Sequence, residues 1–508
     1  MTKSTLQVIF LIGLMKLAAF FKQTVLAKYF GASTDLDIYL LAVDTLGDFS
    51  VAIFSAMSIS ILTLYAKYQF CNEKEKASDV VSISLKIFIP ISVFCSVLFI
   101  VFSEQIAGIL AMNYDVQAQK SVAYYIRITS PTIIFLCITY ILVAVLDSNK
   151  KFWPGKMIGF TLSILIILST SFFGNSLGSI VLVVAYVVAY FLHMIVVIGC
   201  CRNEVVLKNI TLDYAEHIYP LISMFIPMFI GNTTLEINAL VDKFLATGFG
   251  GGALAAQSYG ATLNSFVVAM LITASTGVLL PYLIEYFAQD NIDKILLIIK
   301  KYILFAIAIL LPISIISIFS AEDIVRIVYQ RGAFDERAVL NTKIVLTGYS
   351  VGFIFLAIRE IFVKVHLANR DSKTIMINGL ISITLNIVLS LFLTKTLGIV
   401  GISLGTSISA VFGMILCSIT MKKHLPVFSW YDLKIELLKL LVPGVIISLT
   451  LMYIMQFLIN CSIYMRFGLT IFITLIFNIS LLFMVKSEVL DVFYRVYIYI
   501  KNKRNSSI

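Results

Sequence analysis

The run GSIVLVVAYVVAYFLHMIVVIGC, residues 178–200, decides the fold class. It contains no Asp, Glu, Lys or Arg. An apolar helix of about 20 residues crosses the hydrocarbon core of a bilayer, which is roughly 30 Å thick. Only a helix or a closed barrel satisfies its backbone hydrogen bonds in lipid. Barrel strands alternate polar and apolar residues over segments of about ten, and this run does not alternate. The run therefore predicts a transmembrane helix.

The same pattern recurs along the whole chain of 508 residues. Hydrophobic residues make up 60% and charged residues 13%, and the mean hydropathy is +0.99. Soluble domains carry roughly 25% charged residues, so a soluble enzyme and a disordered chain are excluded. We expect an all-α polytopic membrane protein of about 14 transmembrane helices, the first of them uncleaved. The apolar windows lie near 5–28, 37–65, 80–103, 122–146, 156–174, 178–200, 217–244, 255–287, 298–319, 340–366, 374–394, 398–421, 435–459 and 463–485.

The net charge of +10 indicates orientation in the membrane. Lys and Arg concentrate in every second loop and in the tail, as the positive-inside rule describes for cytoplasmic loops. Both termini are therefore predicted to be cytoplasmic, which requires an even number of spans. Basic residues do not alternate with aromatic ones on a polar surface, so nucleic-acid binding is not expected. The seven cysteines form no C-x-x-C pair, and we expect neither a metal site nor structural disulfides.

Three short motifs recur at nearly constant spacing, which indicates an internal repeat. Thr45–Phe49 matches Thr262–Phe266, Leu177-Gly178 matches Leu397-Gly398, and the loop at 146–150 matches the loop at 367–371. The spacing covers an even number of spans, so the two halves would share one orientation. We predict a six-helix lobe at 1–203, a pseudo-symmetric six-helix lobe at 204–424, and two further helices with a cytoplasmic tail at 425–508.

Ionisable residues inside predicted spans mark interior surfaces or transport pathways. The first span carries Lys16 and Lys22, and the second carries Asp37, Asp44 and Asp48. The three acids are spaced i, i+7 and i+11, which places them on one face of a continuous helix. Two interpretations remain open and are compatible. These charges form salt bridges between neighbouring helices, or they line a polar cavity in which the lysines attract an anionic substrate.

Later spans carry a second group of charges. Glu236 and Asp242 lie in the seventh span, and Arg359 lies in the tenth, where no acid stands at i±3 or i±4. A guanidinium suits bidentate binding of phosphate. We predict Arg359 as a substrate contact. The candidate residues for a coupling ion are Asp37, Asp44, Glu236 and Asp242.

Several motifs resemble those of the MurJ/MviN family, a branch of the multidrug/oligosaccharidyl-lipid/polysaccharide exporter superfamily. Residues 241–246 with Gly277–Pro281 resemble its seventh and eighth helices. Arg331–Asp335 resembles its RGAFD loop, Asn369–Thr374 its R-x-D-x-K-T loop, and Phe30–Ala32 followed by Asp37 its FGA…D signature. The resemblance covers about residues 10–420 and implies fourteen helices in two lobes.

The resemblance also implies positions for a substrate cavity that is rich in arginine in that family. Its two first-helix arginines correspond here to Lys16 and Lys22, and its eighth-helix Arg and Glu correspond to Thr262 and Ser265. Asp37 keeps the residue type of the family. The predicted substrate-binding set is therefore Lys16, Lys22, Asp37, Asp48, Thr262, Ser265 and Arg359.

The resemblance implies a transporter rather than an enzyme, placed in the bacterial cytoplasmic (inner) membrane. It would flip an undecaprenyl-diphosphate-linked glycan, lipid II or a related cell-envelope intermediate, to the outer leaflet by alternating access for peptidoglycan biosynthesis. We expect no cofactor, a drive from the membrane potential or a monovalent cation, and action as a monomer among membrane lipids. One alternative is a flippase for an O-antigen or exopolysaccharide intermediate. Another is a cation-coupled small-molecule antiporter.

Overall fold

A computed structural model describes residues 3–202, 204, 219–458 and 461–484, and every regular element in these ranges is a helix. The long apolar runs of the sequence become these helices because a helix satisfies its own backbone hydrogen bonds. The chain divides into two compact units. Unit 1 comprises Met1–Ala256 and Arg331–Ala338, and unit 2 comprises Gln257–Gln330 and Val339–Ile508.

Unit 1 contains the first eleven helices, and a π-helical turn at Leu40–Asp44 joins the second to the third. The helices are α1 (Lys3–Phe30), α2 (Thr34–Tyr39), α3 (Thr45–Phe70), α4 (Lys74–Val101), α5 (Ser103–Leu110), α6 (Val116–Thr129), α7 (Thr132–Ser148), α8 (Trp153–Lys156), α9 (Ile158–Leu177), α10 (Ile180–Cys201) and α11 (Tyr219–Thr247). The next helix, α12 (Ala253–Val267), begins in unit 1 and continues into unit 2.

Unit 2 contains the rest of α12, a π-helical segment at Val268–Thr273 and a 3-10 turn at Trp430–Leu433. Its other helices are α13 (Ala274–Ala288), α14 (Ile292–Phe319), α15 (Ala321–Tyr329), α16 (Glu336–Ser350), α17 (Phe353–Ala368), α18 (Ser372–Leu397), α19 (Val400–Met421), α20 (Lys434–Phe457) and α21 (Ile463–Met484). The first residues of α16 belong to unit 1.

Ten helices in the described ranges are long and apolar enough to cross a membrane, or eleven if α6 and α7 count as one bent span. Pro131 separates α6 from α7, and the two helices meet at 41°. Proline lacks a backbone N–H and clashes with the preceding turn, which accounts for the break. The all-helical polytopic class is confirmed, while the number of fourteen spans stays a prediction.

Small residues allow the closest helix packing of unit 2, between α18 and α19. A Cβ atom added at Gly405 would stand 2.6 Å from the Ser390 Oγ atom, and one added at Gly401 would meet the backbone of Leu393. Without a hydrophobic driving force inside lipid, helices associate where small side chains let their backbones approach. These glycines therefore allow α18 and α19 to pack closely.

Helix ends with left-handed backbone recur at regular spacing along the chain. Positive φ angles occur at Gly31, Asn72, Lys150 and Gly178, and again at Gly250, Asp290, Arg370 and Gly398. Each residue of the second set lies about 219 residues after its counterpart. A left-handed conformation costs a non-glycine residue roughly 1 kcal/mol, so its recurrence at matching positions is not a chance property of loops. This regularity supports the predicted repeat, whose lobe boundaries stay a prediction.

Candidate functional site

Charged residues of α3 and α11 form the polar centre of unit 1. The Lys243 Nζ atom lies 2.7 Å from the Asp48 Oδ2 atom, and the lysine side chain is largely buried. Glu236 stands two turns before Lys243 on α11 and lines the same narrow cleft. Asp44 is half-buried and lies within electrostatic range of both Lys22 and Lys243. We call Lys22, Asp44, Asp48, Glu236 and Lys243 the unit 1 charge cluster.

The π-helical turn at Leu40–Asp44 separates Asp37 from this cluster. A continuous helix would have placed Asp37, Asp44 and Asp48 on one face. A π-helical turn inserts an extra residue and changes the helical register. In the structure Asp48 pairs with Lys243, whereas Asp37 bonds to other elements of unit 1. The sequence spacing alone did not indicate this separation.

Asp37 is completely buried and accepts three hydrogen bonds from unit 1. Its Oδ2 atom accepts from the Tyr114 hydroxyl at 2.7 Å and from the Gly252 N–H at 2.6 Å. Its Oδ1 atom accepts from the Ala255 N–H at 2.7 Å. The carboxylate thus caps the first turn of α12, where backbone N–H groups lack helical partners. In this conformation both carboxylate oxygens of Asp37 accept hydrogen bonds from the protein.

The signature loops of the sequence pack on one another next to Asp37. The Ala333 N–H of the RGAFD loop donates to the Lys28 carbonyl at 2.9 Å. A Cβ atom at Gly31 would overlap the Ala333 carbonyl, and one at Gly252 would overlap the Ala32 carbonyl. Both glycines also have positive φ angles. These motifs require glycine because backbones meet where a side chain has no room.

The two lysines of α1 are half-buried in the first predicted span. Among the described residues, neither Lys16 nor Lys22 has a hydrogen bond or an ion pair within 4.0 Å. Asp44, which interacts with Lys22 over a longer distance, is shared with Lys243. The salt-bridge interpretation thus applies to Asp48 and Lys243, while Lys16 and Lys22 keep their donors available.

Three buried tyrosines border the unit 1 charge cluster and were not singled out from the sequence. Tyr39, Tyr186 and Tyr190 are all less than one-tenth exposed. The Tyr186 and Tyr190 rings lie 4.7 Å apart, and the Tyr186 hydroxyl occupies the space beside Gly47 that a Cβ atom would fill. The spacing i, i+4 on α10 was the available signal. These hydroxyls supply hydrogen-bonding groups beside the acids.

The remaining predicted residues lie on several helices. Arg359 has its guanidinium 3.5 Å from Glu360, its stem packs near Gly413, and its Nε atom is buried with no hydrogen-bond partner in the described part of unit 2. The Thr262 hydroxyl donates to the Ser258 carbonyl at 2.9 Å, whereas Ser265 is exposed. Asp242 is buried in α11 of unit 1.

The sequence profile of the family described as "Lipid II flippase MurJ" matches residues 26–477. The chain belongs to the lipid II flippase MurJ family. It is therefore a transporter and a multi-pass protein of the bacterial inner membrane. This result confirms the family that the motifs of the sequence indicated.

Two curated relatives and two solved structures illustrate the similarity. The probable lipid II flippase MurJ of Rickettsia prowazekii is 25% identical over 366 residues, 71% of each chain. That of Thermotoga maritima is 24% identical over 84% of this chain and 86% of the relative. The structure "Lipid II flippase MurJ, inward closed conformation" matches with a TM-score of 0.81 and 22% identity, covering 97% of this chain and 100% of that chain. An inward-facing multidrug resistance MATE family transporter of the MOP superfamily matches with a TM-score of 0.70 and 12% identity, covering 81% and 94%.

Proposed function

We propose that this chain moves lipid II, an undecaprenyl-diphosphate-linked glycan, from the inner to the outer leaflet. The observation that carries the proposal is the pair of lysines on α1 that have neither a hydrogen bond nor an ion pair within 4.0 Å among the described residues. A charge inside a membrane segment is costly unless a partner or water compensates it. A diphosphate supplies that compensation. Its glycan would cross through the protein while the polyprenyl tail stays in lipid.

Lys16 and Lys22 act as point charges toward the diphosphate, with Arg359 as a further phosphate contact. An ammonium group offers three rotatable donors but not the planar fork of a guanidinium. Thr262 and Ser265 would offer hydroxyl contacts to the glycan. An inside-negative potential favours outward movement of an anion by about 2.3 kcal/mol per charge per 100 mV. After the substrate is released, the same potential would favour the return to the inward-facing state, because the emptied cavity carries positive charge.

The unit 1 charge cluster is the proposed element for energy coupling. It contains three acids, Asp44, Asp48 and Glu236, and two lysines. Full neutrality requires one more positive charge, which a proton or a monovalent cation would supply. Asp44 and Glu236 are the strongest coupling candidates because neither has an ion pair within 4.0 Å in the described ranges. Asp37 and Asp242 remain further candidates.

We also propose the membrane arrangement of the family for this chain. It has fourteen spans with both termini cytoplasmic, two six-helix lobes at 1–203 and 204–424, and two added helices within 425–508. The recurring left-handed helix ends support the repeat. The protein would act as a monomer.

Complementation tests the substrate. We expect this chain to restore growth of a bacterial strain depleted of its lipid II flippase, because the family match covers most of its length. The measurement is colony formation after depletion, with membrane levels compared by immunoblot. A strain lacking an O-antigen flippase serves as the control, and we expect no rescue there. Rescue of the second strain without the first would assign another lipid-linked glycan.

A double-mutant cycle tests the pair of Asp48 and Lys243. Asp48→Leu should lower the amount of folded protein, because it leaves the largely buried Lys243 ammonium group without its partner. Lys243→Met should have a smaller effect, because the Asp48 side chain is 49% exposed and water can solvate it. The double variant should recover folded protein, with a coupling energy of about 0.5 kcal/mol or more. The measurement is thermal unfolding in detergent.

The matched control is the exposed pair of Lys76 and Glu73, 3.3 Å apart. Exposed pairs are worth about 0.2–1 kcal/mol, so Lys76→Met should change little. Additive effects of the two substitutions at Asp48 and Lys243 would mean that this contact does not hold α3 against α11.

A further inference from the structure

Two histidines and one aspartate converge where α17, α18 and α19 end or begin in unit 2. His366 lies in the last turn of α17, Asp371 precedes α18, and His424 follows α19. One ligand atom from each residue lies within 4.8 Å of the other two. The His424 Nε2 atom is 2.9 Å from the Asp371 Oδ2 atom, and the His366 Nδ1 atom is 3.9 Å from that same oxygen.

The chain folds locally so that Asp371 faces His366. Arg370 adopts a left-handed conformation with a φ of 58°, and the Asp371 N–H donates to the His366 carbonyl at 3.0 Å. This is the Schellman ending of a helix. The Asp371 carboxylate then caps α18, accepting from the Thr374 N–H at 3.2 Å and its hydroxyl at 2.8 Å. The carboxylate is thereby held in place by two helix ends.

The Thr420 hydroxyl is the hydrogen-bond partner of the second ring nitrogen of His366, Nε2. The Thr420 hydroxyl donates to the Leu416 carbonyl at 3.0 Å, and its oxygen accepts from the Asn378 amide at 2.8 Å. The His366 Nε2 atom lies 3.1 Å from that oxygen. When the hydroxyl directs its proton to the Leu416 carbonyl, Nε2 is the donor of this hydrogen bond. In that tautomer of the neutral ring, Nδ1 is an unprotonated acceptor.

The Nδ1 atom of His366 is buried and has an unsatisfied hydrogen-bonding position. His366 is 0% exposed, and its Nδ1 atom has no hydrogen-bond partner among the described residues. The atom it faces, Asp371 Oδ2, is also an acceptor. That oxygen accepts a hydrogen bond from the Thr374 hydroxyl at 2.8 Å and lies 2.9 Å from the His424 Nε2 atom. The His366 nitrogen is buried and the Asp371 oxygen is partly buried, and a cation between two such acceptors would stabilise both.

The donor set and its spacing fit a transition metal. Zinc binds imidazole nitrogen at about 2.0–2.1 Å and carboxylate oxygen at about 2.0–2.2 Å. Two ligand atoms of a tetrahedral zinc site are thus roughly 3.4 Å apart, and the observed separations of 2.9 Å and 3.9 Å lie on either side. Imidazole and carboxylate together favour zinc over magnesium. Metal-bound histidines also donate their second N–H to a fixed acceptor, as His366 does to Thr420.

We propose that His366 Nδ1, Asp371 Oδ2 and His424 Nε2 bind a zinc-class divalent ion with a water molecule as the fourth ligand. The ion replaces the proton between His424 and Asp371 and joins the ends of α17, α18 and α19. Its competitor is the Lys423 ammonium group, which lies 3.5 Å from the Asp371 Oδ2 atom on an exposed side chain. The cysteine pattern of the sequence had indicated no metal site, because none of these ligands is a cysteine.

Metal titration of the full-length protein in detergent tests the site. After removal of metals with a chelator, we expect one Zn²⁺ per chain, a higher unfolding temperature with Zn²⁺, and no such effect with Mg²⁺. Co²⁺ should give the visible absorption bands of a tetrahedral site. His366→Ala, Asp371→Asn and His424→Ala should each abolish stoichiometric binding. His193→Gln, at another buried histidine on α10, should leave it unchanged.

Two variants keep the test valid if a ligand variant fails to fold. Lys423→Ala removes only an exposed competitor, so Zn²⁺ should bind several-fold more tightly. Thr420→Val removes the acceptor that orients His366 and should weaken binding by roughly 10–100-fold. Absence of Zn²⁺ binding by the unmodified chain overturns the proposal. Zn²⁺ binding that stays unchanged after substitution of His366, Asp371 and His424 also overturns it. The two readouts, Zn²⁺ binding and the unfolding temperature, do not depend on lipid transport.

Discussion

We expect the double variant Lys16→Ala, Lys22→Ala to lose lipid II transport while it still folds. A hydrogen bond to a charged group is worth about 1.5–3 kcal/mol. Loss of both ammonium groups should therefore weaken diphosphate binding by at least about a hundredfold. The folded protein should lose little stability, because neither lysine has a hydrogen bond or an ion pair within 4.0 Å among the described residues and Lys22 interacts with Asp44 only over a longer distance. Removing a lysine from a span also removes an insertion cost of about 2.5–3.5 kcal/mol.

The measurement is the rate at which lipid II becomes accessible to an impermeant reagent in the outer leaflet, divided by the amount of protein in the membrane. The matched control is Lys16→Arg, Lys22→Arg, which keeps both charges and adds a bidentate donor fork. We expect that variant to retain transport. Normal transport by the double alanine variant would mean that α1 does not bind the diphosphate, and Arg359 would then be the next residue to replace.

Replacing Asp37 should have the largest effect on stability. Asp37→Ala removes the acceptor for Tyr114, Gly252 and Ala255 and leaves those buried donors unsatisfied. Each such donor costs about 1–3 kcal/mol, so the loss should reach about 3 kcal/mol or more. We expect little folded protein in the membrane and a lower unfolding temperature in detergent. Asp37→Asn should be milder because it keeps one acceptor oxygen.

Asp35→Asn is the matched control for this substitution. Asp35 lies on the same short helix, α2, but is exposed. Substitution at such a surface position usually changes stability by less than about 0.5 kcal/mol. If Asp37→Asn kept full stability and still lost transport, Asp37 would act on the substrate or the coupling ion, as its position in the sequence first indicated.

Much of the architecture could be predicted because it depends on local composition. Membrane helices follow from long apolar runs, since lipid leaves the backbone no other way to satisfy its hydrogen bonds. The break at Pro131 follows from the chemistry of proline. The family could be named from Phe30–Ala32 and Arg331–Asp335, in which Gly31 and Gly332 have no room for a side chain, and from the loop at Asn369. Each of these features depends on a short continuous stretch of the sequence.

The site was less predictable because its contacts join distant parts of the chain. The periodicity of the second span placed Asp37 with Asp44 and Asp48. The π-helical turn at Leu40–Asp44 separates Asp37 from Asp44 and Asp48, and no local sequence pattern predicted that turn. The position of Lys243 inside a span is explained only by its partner Asp48, which lies 195 residues away in the sequence. Distance in sequence carries no information on which charged groups meet across a helix packing interface.

The sequence by itself determined that this chain is a helical membrane transporter and that charges remain inside its spans. Composition decides that the chain is a helical membrane protein, because the cost of placing a residue in lipid is set mainly by its own side chain. The transporter class follows from the resemblance of its motifs to those of the MurJ family. Only the tertiary structure decided which charges are neutralised and which keep a free donor or acceptor. Asp37 is a helix cap, Asp48 is the partner of Lys243, and the His366 Nδ1 atom faces Asp371 without a hydrogen-bond partner among the described residues. These outcomes depend on packing, because burial and hydrogen-bond geometry exist only once the helices have assembled.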